Sequence, residues 1–103
     1  AVVVASEDAT KEHGVAPLAR IVSYHVVGVE PGIMGIGPVE AIRGAVAKAG
    51  LTLGQMDLIE INEAFAAQVL SCAKALDIDP ARLNQRLAVA MPLAPLALAA
   101  VRA

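Results

Sequence analysis

Apolar and polar positions change period several times along the chain, and each change marks a predicted element. Ala1 to Ala5 is uniformly small and apolar, which predicts a short buried strand ending at Ser6. Ser6 followed by Glu7 and Asp8 reads as a cap with acids in the first turn, opening a charged helix that closes at His13-Gly14. After Pro17, Leu18 to Val29 is rich in Val and Ile with Ser23, Tyr24 and His25 interspersed, predicting a long strand with one partly polar face. A glycine-rich turn from Gly28 to Gly37 follows, and Pro38 stands at the first position of the next helix. Val39, Ile42, Val46 and Ala49 form the apolar stripe of that helix, predicted over Pro38 to Ala49 and ended by Gly50.

The pattern then repeats. Thr52 is placed to cap a brief turn through Gln55. Asp57 to Ile61 is β-rich, Glu63 to Leu76 repeats apolar residues at helical spacing, and Asp79-Pro80-Ala81 resembles a helical turn with Pro near its start. The predicted order is β-α-β-α-β-α, which argues for an α/β layered fold with ligand sites at the C-terminal ends of strands.

Beyond Asn84 the character changes. Gln85 to Ala103 is almost only Ala, Leu, Val, Met and Pro, bracketed by Arg86 and Arg102. Its apolar part, about 15 residues without a charge, is shorter than the roughly 20 that a spanning helix needs, and Pro92 and Pro95 fall in its middle. The segment is expected to pack on the rest of the chain or on a partner. Its low complexity separates it from what precedes it.

Composition narrows the function classes. The 103 residues suffice for one small domain, and 57% apolar content with a net charge of −2 describes a globular core. Nucleic acid is not suggested: Lys and Arg total 8 against 10 acids, and Tyr24 and Phe65 are the available stacking aromatics. The core is built from Ala, Val, Leu and Ile with no Trp, the small-side-chain interior of helices packed closely on sheets. The single cysteine, Cys72, excludes an intramolecular disulfide and fits a reducing, intracellular setting. Lying mid-helix among Val69, Leu70, Ala73 and Leu76, it reads as a small buried hydrophobe rather than a nucleophile. Ala1 opens into Val2-Val3-Val4 without the basic and apolar regions of a secretory signal, as if the chain belonged to something longer.

Candidate chemistry concentrates at two places. Asn62 stands where the predicted strand meets the predicted helix, so its amide has a fixed direction. Either it caps the helix by accepting from an N–H, or it turns its NH2 toward a ligand or ordered water. The turn Pro31 to Pro38 lets backbone approach a ligand, but it lacks the Lys-Ser/Thr pair and spacing of phosphate-binding loops, which favours a tight structural turn. Met34, a flexible thioether between glycines, is a candidate wall for an alkyl or thioester chain. His13 and His25 lie on different elements without cysteine or a second His at ligand spacing, so no metal site is expected. His13 suits a helix C-terminus electrostatically, and His25 is a polar-face residue of its strand. Glu60 and Glu63 straddle the junction and need not face one another as an acid/base pair.

Taken together, Val29-Glu30-Pro31, then Ile33-Met34-Gly35-Ile36-Gly37-Pro38, Ala49-Gly50-Leu51, and Asp57 through Asn62-Glu63-Ala64-Phe65-Ala66-Ala67-Gln68 closely resemble the thiolase family, particularly 3-ketoacyl-CoA thiolases. The resemblance runs from Ala1 to about Asn84: residues 1–16 look like the end of the family's first half and 17–84 like the start of its second, with 85–103 a divergent apolar tail. It implies a partial layered fold, a mixed sheet with helices on its faces. It also implies CoA-dependent cleavage or condensation of 3-ketoacyl-CoA, with coenzyme A as substrate and no resident cofactor. By resemblance, Asn62 would hold the water that forms an oxyanion hole together with the His of a later Gly-His-Pro motif. Met34 and Phe65 would line the substrate pocket.

The departures matter as much. The family's acyl-accepting Cys lies in a part of the first half that these residues do not include, its late Cys-x-Gly motif is absent, and Cys72 matches neither. Ungapped alignment puts Ala94-Pro95 where His-Pro is expected, and the tail reads as a frame-shifted or altered terminus. The resemblance therefore predicts an acyltransferase by descent with no turnover as this isolated chain. The competing reading is a non-catalytic module that binds a partner or forms a homo-oligomer through uncovered apolar surface. A lipid-carrying role is disfavoured because no amphipathic basic face is present.

Overall fold

A computed structural model describes residues 2–84. Among them the regular elements are helices: α1 over Glu7–Glu12, α2 over Gly37–Lys48 and α3 over Ala66–Leu76, with 3-10 turns at Pro31–Ile36, Leu53–Gln55 and Pro80–Arg82.

The predicted helices form where their end signals place them. Ser6 Oγ accepts from Ala9 N at 3.2 Å to start α1, and His13 ends it. α2 closes with the 6→1 and 5→2 hydrogen bonds of a Schellman turn, Leu51 N to Val46 O at 3.1 Å and Gly50 N to Ala47 O at 3.0 Å, with Gly50 at φ +68. α3 ends in the same way, Ile78 N donating to Ala73 O at 3.0 Å, but here Asp77 occupies the left-handed position at φ 52. Thr52 N donates to Gln55 Oε1 at 2.8 Å, and Asp79 Oδ1 accepts from Ala81 N at 2.8 Å, so both short turns are held by their own side chains.

The core lies between α2, α3 and the stretch Met56–Ile61. Val39, Ile42 and Val46 from α2 meet Val69 and Cys72 from α3, with Met56, Ile59, Ile61 and Ile78 completing the cluster. Burying each such aliphatic side chain is worth about 1.5–3 kcal/mol, which is why the α2 stripe read from the sequence dictates its packing face. Ala45 joins that face, and Ala49, expected in the stripe, is only partly buried. Arg43 ties the two helices at the surface, donating to Ala75 O at 3.1 Å.

Three expectations change. No strand forms at the stretches anticipated as β, residues 1–5, 18–29 and 57–61, within the described residues; isolated bridges occur at Arg20 and, in parallel, between Ile59 and Leu83. A strand exists through its neighbour's hydrogen bonds, and β-rich composition alone does not supply one. Second, the glycine-rich turn is itself helical, a 3-10 segment kinked at Ile33 that runs directly into α2. Third, α3 begins at Ala66 rather than Glu63, because Ala64 N turns back to Asn62 O at 3.1 Å and Phe65 becomes the N-cap.

The extended stretch 21–28 has its polarity reversed relative to an ordinary core strand. Ser23 Oγ donates to Ala45 O at 2.6 Å on α2, while Tyr24 and Val26 on the other face remain 69% and 78% exposed. The His25 ring packs where α2 carries Gly44; a Cβ there would lie 2.6 Å from His25 Nε2. Lys48 closes this contact, donating to Tyr24 O at 3.3 Å with its ammonium 5.6 Å from the Tyr24 ring centroid. The anticipated tail, residues 85–103 with Ala94, lies outside the described residues.

Candidate functional site

The backbone of Ile59 to Ile61 is extended and locked. Ile59 N donates to Arg82 O at 2.9 Å, Asn84 N donates to Ile59 O at 2.8 Å, and the Asn84 side chain then takes both backbone groups of Ile61. Asn84 adopts φ 50, a left-handed conformation that Asn tolerates better than most residues, and this turns its amide alongside Ile61 like one more residue of a paired strand. The consequence is local: the residue after this lock, Asn62, leaves the core and is exposed.

Asn62 does not cap α3. Phe65 holds the N-cap position without a side-chain hydrogen bond, and the Asn62 amide makes no hydrogen bond within the described residues. Of the alternatives open from the sequence, capping is therefore removed, and the amide is free to meet a ligand or water.

Met34 reaches the same region through α3. Cys72 Sγ donates to Gly35 O at 3.3 Å, and Gln68 Nε2 donates to Cys72 Sγ at 3.6 Å. A Cβ at Gly35 would come within 3.2 Å of Gln68 Cγ, so the turn sits directly on the Gln68 stem. Phe65 precedes Gln68 by three residues, and its carbonyl accepts from Gln68 N at 3.1 Å. The structure thus brings the Met34 turn onto α3 at Gln68 and Cys72, and the Asn62–Phe65 junction leads into the start of the same helix. It does not close a pocket around them: Met34 is 73% and Phe65 75% exposed. A shallow apolar hollow bounded by Ser23, Ala45, Leu51 and Met56 lies elsewhere and contains none of the three.

Cys72 is fully buried, and burial pushes its thiol up from the ordinary value, partly offset by the Gln68 hydrogen bond. A sealed, protonated thiol is the opposite of an activated nucleophile. Among the described residues no His, Cys, Asp and Glu gather as a metal site, and no helix is long and apolar enough to cross a membrane. Gln68 and Asn84 are the residues that sequence reasoning passed over. Gln68 had a legible signal, one helical turn beyond Phe65; Asn84 had none before its tertiary contact was visible.

Comparisons with known proteins give the family. The family described as Thiolase, C-terminal domain, matches residues 15–100. The mitochondrial 3-ketoacyl-CoA thiolase of Mus musculus is 63% identical over 84 residues, covering 82% of this chain and 21% of that protein, so the chain spans about a fifth of the length of the curated relatives it matches. The crystal structure of human mitochondrial 3-ketoacyl-CoA thiolase superposes with a TM-score of 0.78 at 53% identity, over 92% of this chain and 24% of the other. The structure of human mitochondrial 3-ketoacyl-CoA thiolase in complex with CoA gives 0.76 at 54%, over 92% and 22%. With the Met34 turn and the Asn62 junction docked on one helix, and with identity of this order across four fifths of its length, the chain belongs to the thiolase family.

Proposed function

We propose that this chain carries the oxyanion side and part of the acyl-pocket wall of a thiolase-type acyltransferase acting on 3-ketoacyl-CoA. Coenzyme A is the co-substrate, no cofactor is resident, and the setting is intracellular. The observation that carries this reading is Asn62: an exposed side-chain amide, released from capping, on backbone locked by Asn84. Such a group costs no reorganisation when it orients a water toward a thioester carbonyl that is gaining negative charge. Met34 and Phe65 offer an exposed apolar thioether and ring, suited to an alkyl chain. The mixed sheet of the layered thiolase fold would lie against the exposed face of residues 21–28.

The isolated chain has no turnover in this reading, because acyl transfer needs a thiolate with its activating base, and the one thiol present is buried. Two measurements on the purified 103-residue chain test it. Acetoacetyl-CoA is expected to shift the Met34 methyl and Asn62 side-chain amide signals in an NMR titration; unchanged signals at millimolar ligand would overturn the site. CoA-dependent cleavage of acetoacetyl-CoA above the background of a Met34→Ala/Asn62→Ala variant would overturn the inactivity.

A second reading, a non-catalytic association module, is favoured by a specific observation. Val2, Val3 and Val26 are 89%, 96% and 78% exposed, and no strand forms beside them among the described residues. Sedimentation separates the two: a concentration-dependent homo-oligomer supports the module, and a monomer at all concentrations removes it.

A further inference from the structure

We infer that Cys72 and Gln68 are positioning residues that set the Met34 turn against α3, an assignment that rests on the acyl-pocket reading of Met34. Cys72 is the most enclosed side chain in the described chain, with no exposed surface, yet it is polar enough to donate, and its thiol meets the Gly35 carbonyl at 3.3 Å. An alanine or valine would fill the core equally well without reaching that carbonyl. Gln68 supports the thiol from one helical turn earlier, its Nε2 donating to Sγ at 3.6 Å while its stem bears on Gly35. The three groups form one directed relay from Gln68 through Cys72 to the backbone that carries Met34.

A second observation points the same way. Gln68 Oε1 is sealed from solvent and receives no hydrogen bond. Turning the amide over would let the thiol donate to Oε1, but the thiol has one proton, and the Gly35 carbonyl would then lose it. The unpaired oxygen is the cost of keeping the proton on the turn, a cost of the size that a sealed acceptor ordinarily carries. The relay therefore holds the turn in preference to satisfying its own members, as expected of groups whose task is to fix the backbone that carries Met34.

Amide hydrogen exchange in the full chain tests the assignment. The Gly37 and Ile33 N–H groups, which close the 3-10 turn on Met34 O and Glu30 O, report on it, and the Leu51 N–H, which closes α2 on Val46 O, serves as reference. Cys72→Ala is expected to speed exchange at Gly37 and Ile33 about fivefold relative to Leu51, the factor that one net hydrogen bond is worth. Cys72→Ser, which restores a donor, is expected to recover most of the protection, and Gln68→Met, which keeps volume but removes the amide, to lose part of it. Uniform acceleration at all three amides, or a serine variant indistinguishable from alanine, would show that Cys72 only packs and would overturn the assignment. The acetoacetyl-CoA titration is read separately. An unresponsive Met34 methyl in the wild-type chain sinks the acyl-pocket reading, while the exchange pattern still decides the relay.

Discussion

The side-chain amide of Asn84 brackets the backbone of Ile61, Oδ1 accepting its N–H at 2.8 Å and Nδ2 donating to its carbonyl at 3.0 Å. Two residues of the same chain thereby imitate one rung of a sheet, and the rung ends one residue before Asn62. Asn84→Ala removes both bonds and leaves a Cβ residue at φ 50. The expected loss is about 2–3 kcal/mol of unfolding free energy, from two hydrogen bonds at about 1 kcal/mol each and a left-handed alanine. Urea denaturation checks this; a loss under about 0.5 kcal/mol would mean that the Ile59–Ile61 backbone is held by burial alone.

Asn62 and Ser6 form a contrasting pair. Ser6 caps α1 through Ala9 N, whereas Asn62 is exposed and caps nothing. Asn62→Ala is expected to change stability by less than about 0.5 kcal/mol, while Ser6→Ala frays α1 at a cost of about 1 kcal/mol. Chemical denaturation combined with exchange at the Ala9 amide reads both. A destabilised Asn62→Ala chain would return that residue to a structural role.

Gly44 is required by its neighbour. Gly44→Ala puts a methyl group inside the His25 ring, so either the ring leaves α2 or the helix moves, at an expected cost of about 1–3 kcal/mol. The pair His25→Ala/Gly44→Ala is expected to recover part of that loss, since alanine at 25 vacates the space. A double-mutant cycle showing simple additivity would mean that the two residues do not touch in solution.

The Cys72 thiol supplies a pH dependence. Burial raises its folded pKa, so above the unfolded thiol's pKa of about 8.5 the native state holds a proton that the unfolded state has released. This contribution to stability is complete below that pH and is lost as pH rises toward the folded value. Melts at pH 7 and pH 10 are expected to show a larger fall for wild type than for Cys72→Ala. Iodoacetamide at pH 8 is expected to label the native thiol far more slowly than the urea-unfolded one, and equal rates would contradict the enclosure.

Helix ends and motifs were legible because their causes are local. Ser6, Gly14, Gly50 and the Asp79-Pro80 pair each act within a turn of chain, and each acts as its type predicts. Cys72 was likewise legible as buried, because its helix neighbours are apolar. The start of α3 was misplaced by three residues: Asn62 is a preferred cap type, but the Asn84 lock fixes the backbone before it, and the chain needs one further turn before the helix begins.

The order of helical segments, their core stripe and the thiolase resemblance were determined by the sequence, since helix capping, apolar period and motif spacing are properties of neighbours along the chain. Only the tertiary structure decided that the β-rich stretches form isolated bridges rather than strands among the described residues, that Ser23 and His25 face α2, and that Gln68, Cys72 and Gly35 join the Met34 turn to the Asn62 junction. Those outcomes depend on which backbone groups and which small residues come together from distant positions, and no local propensity carries that information.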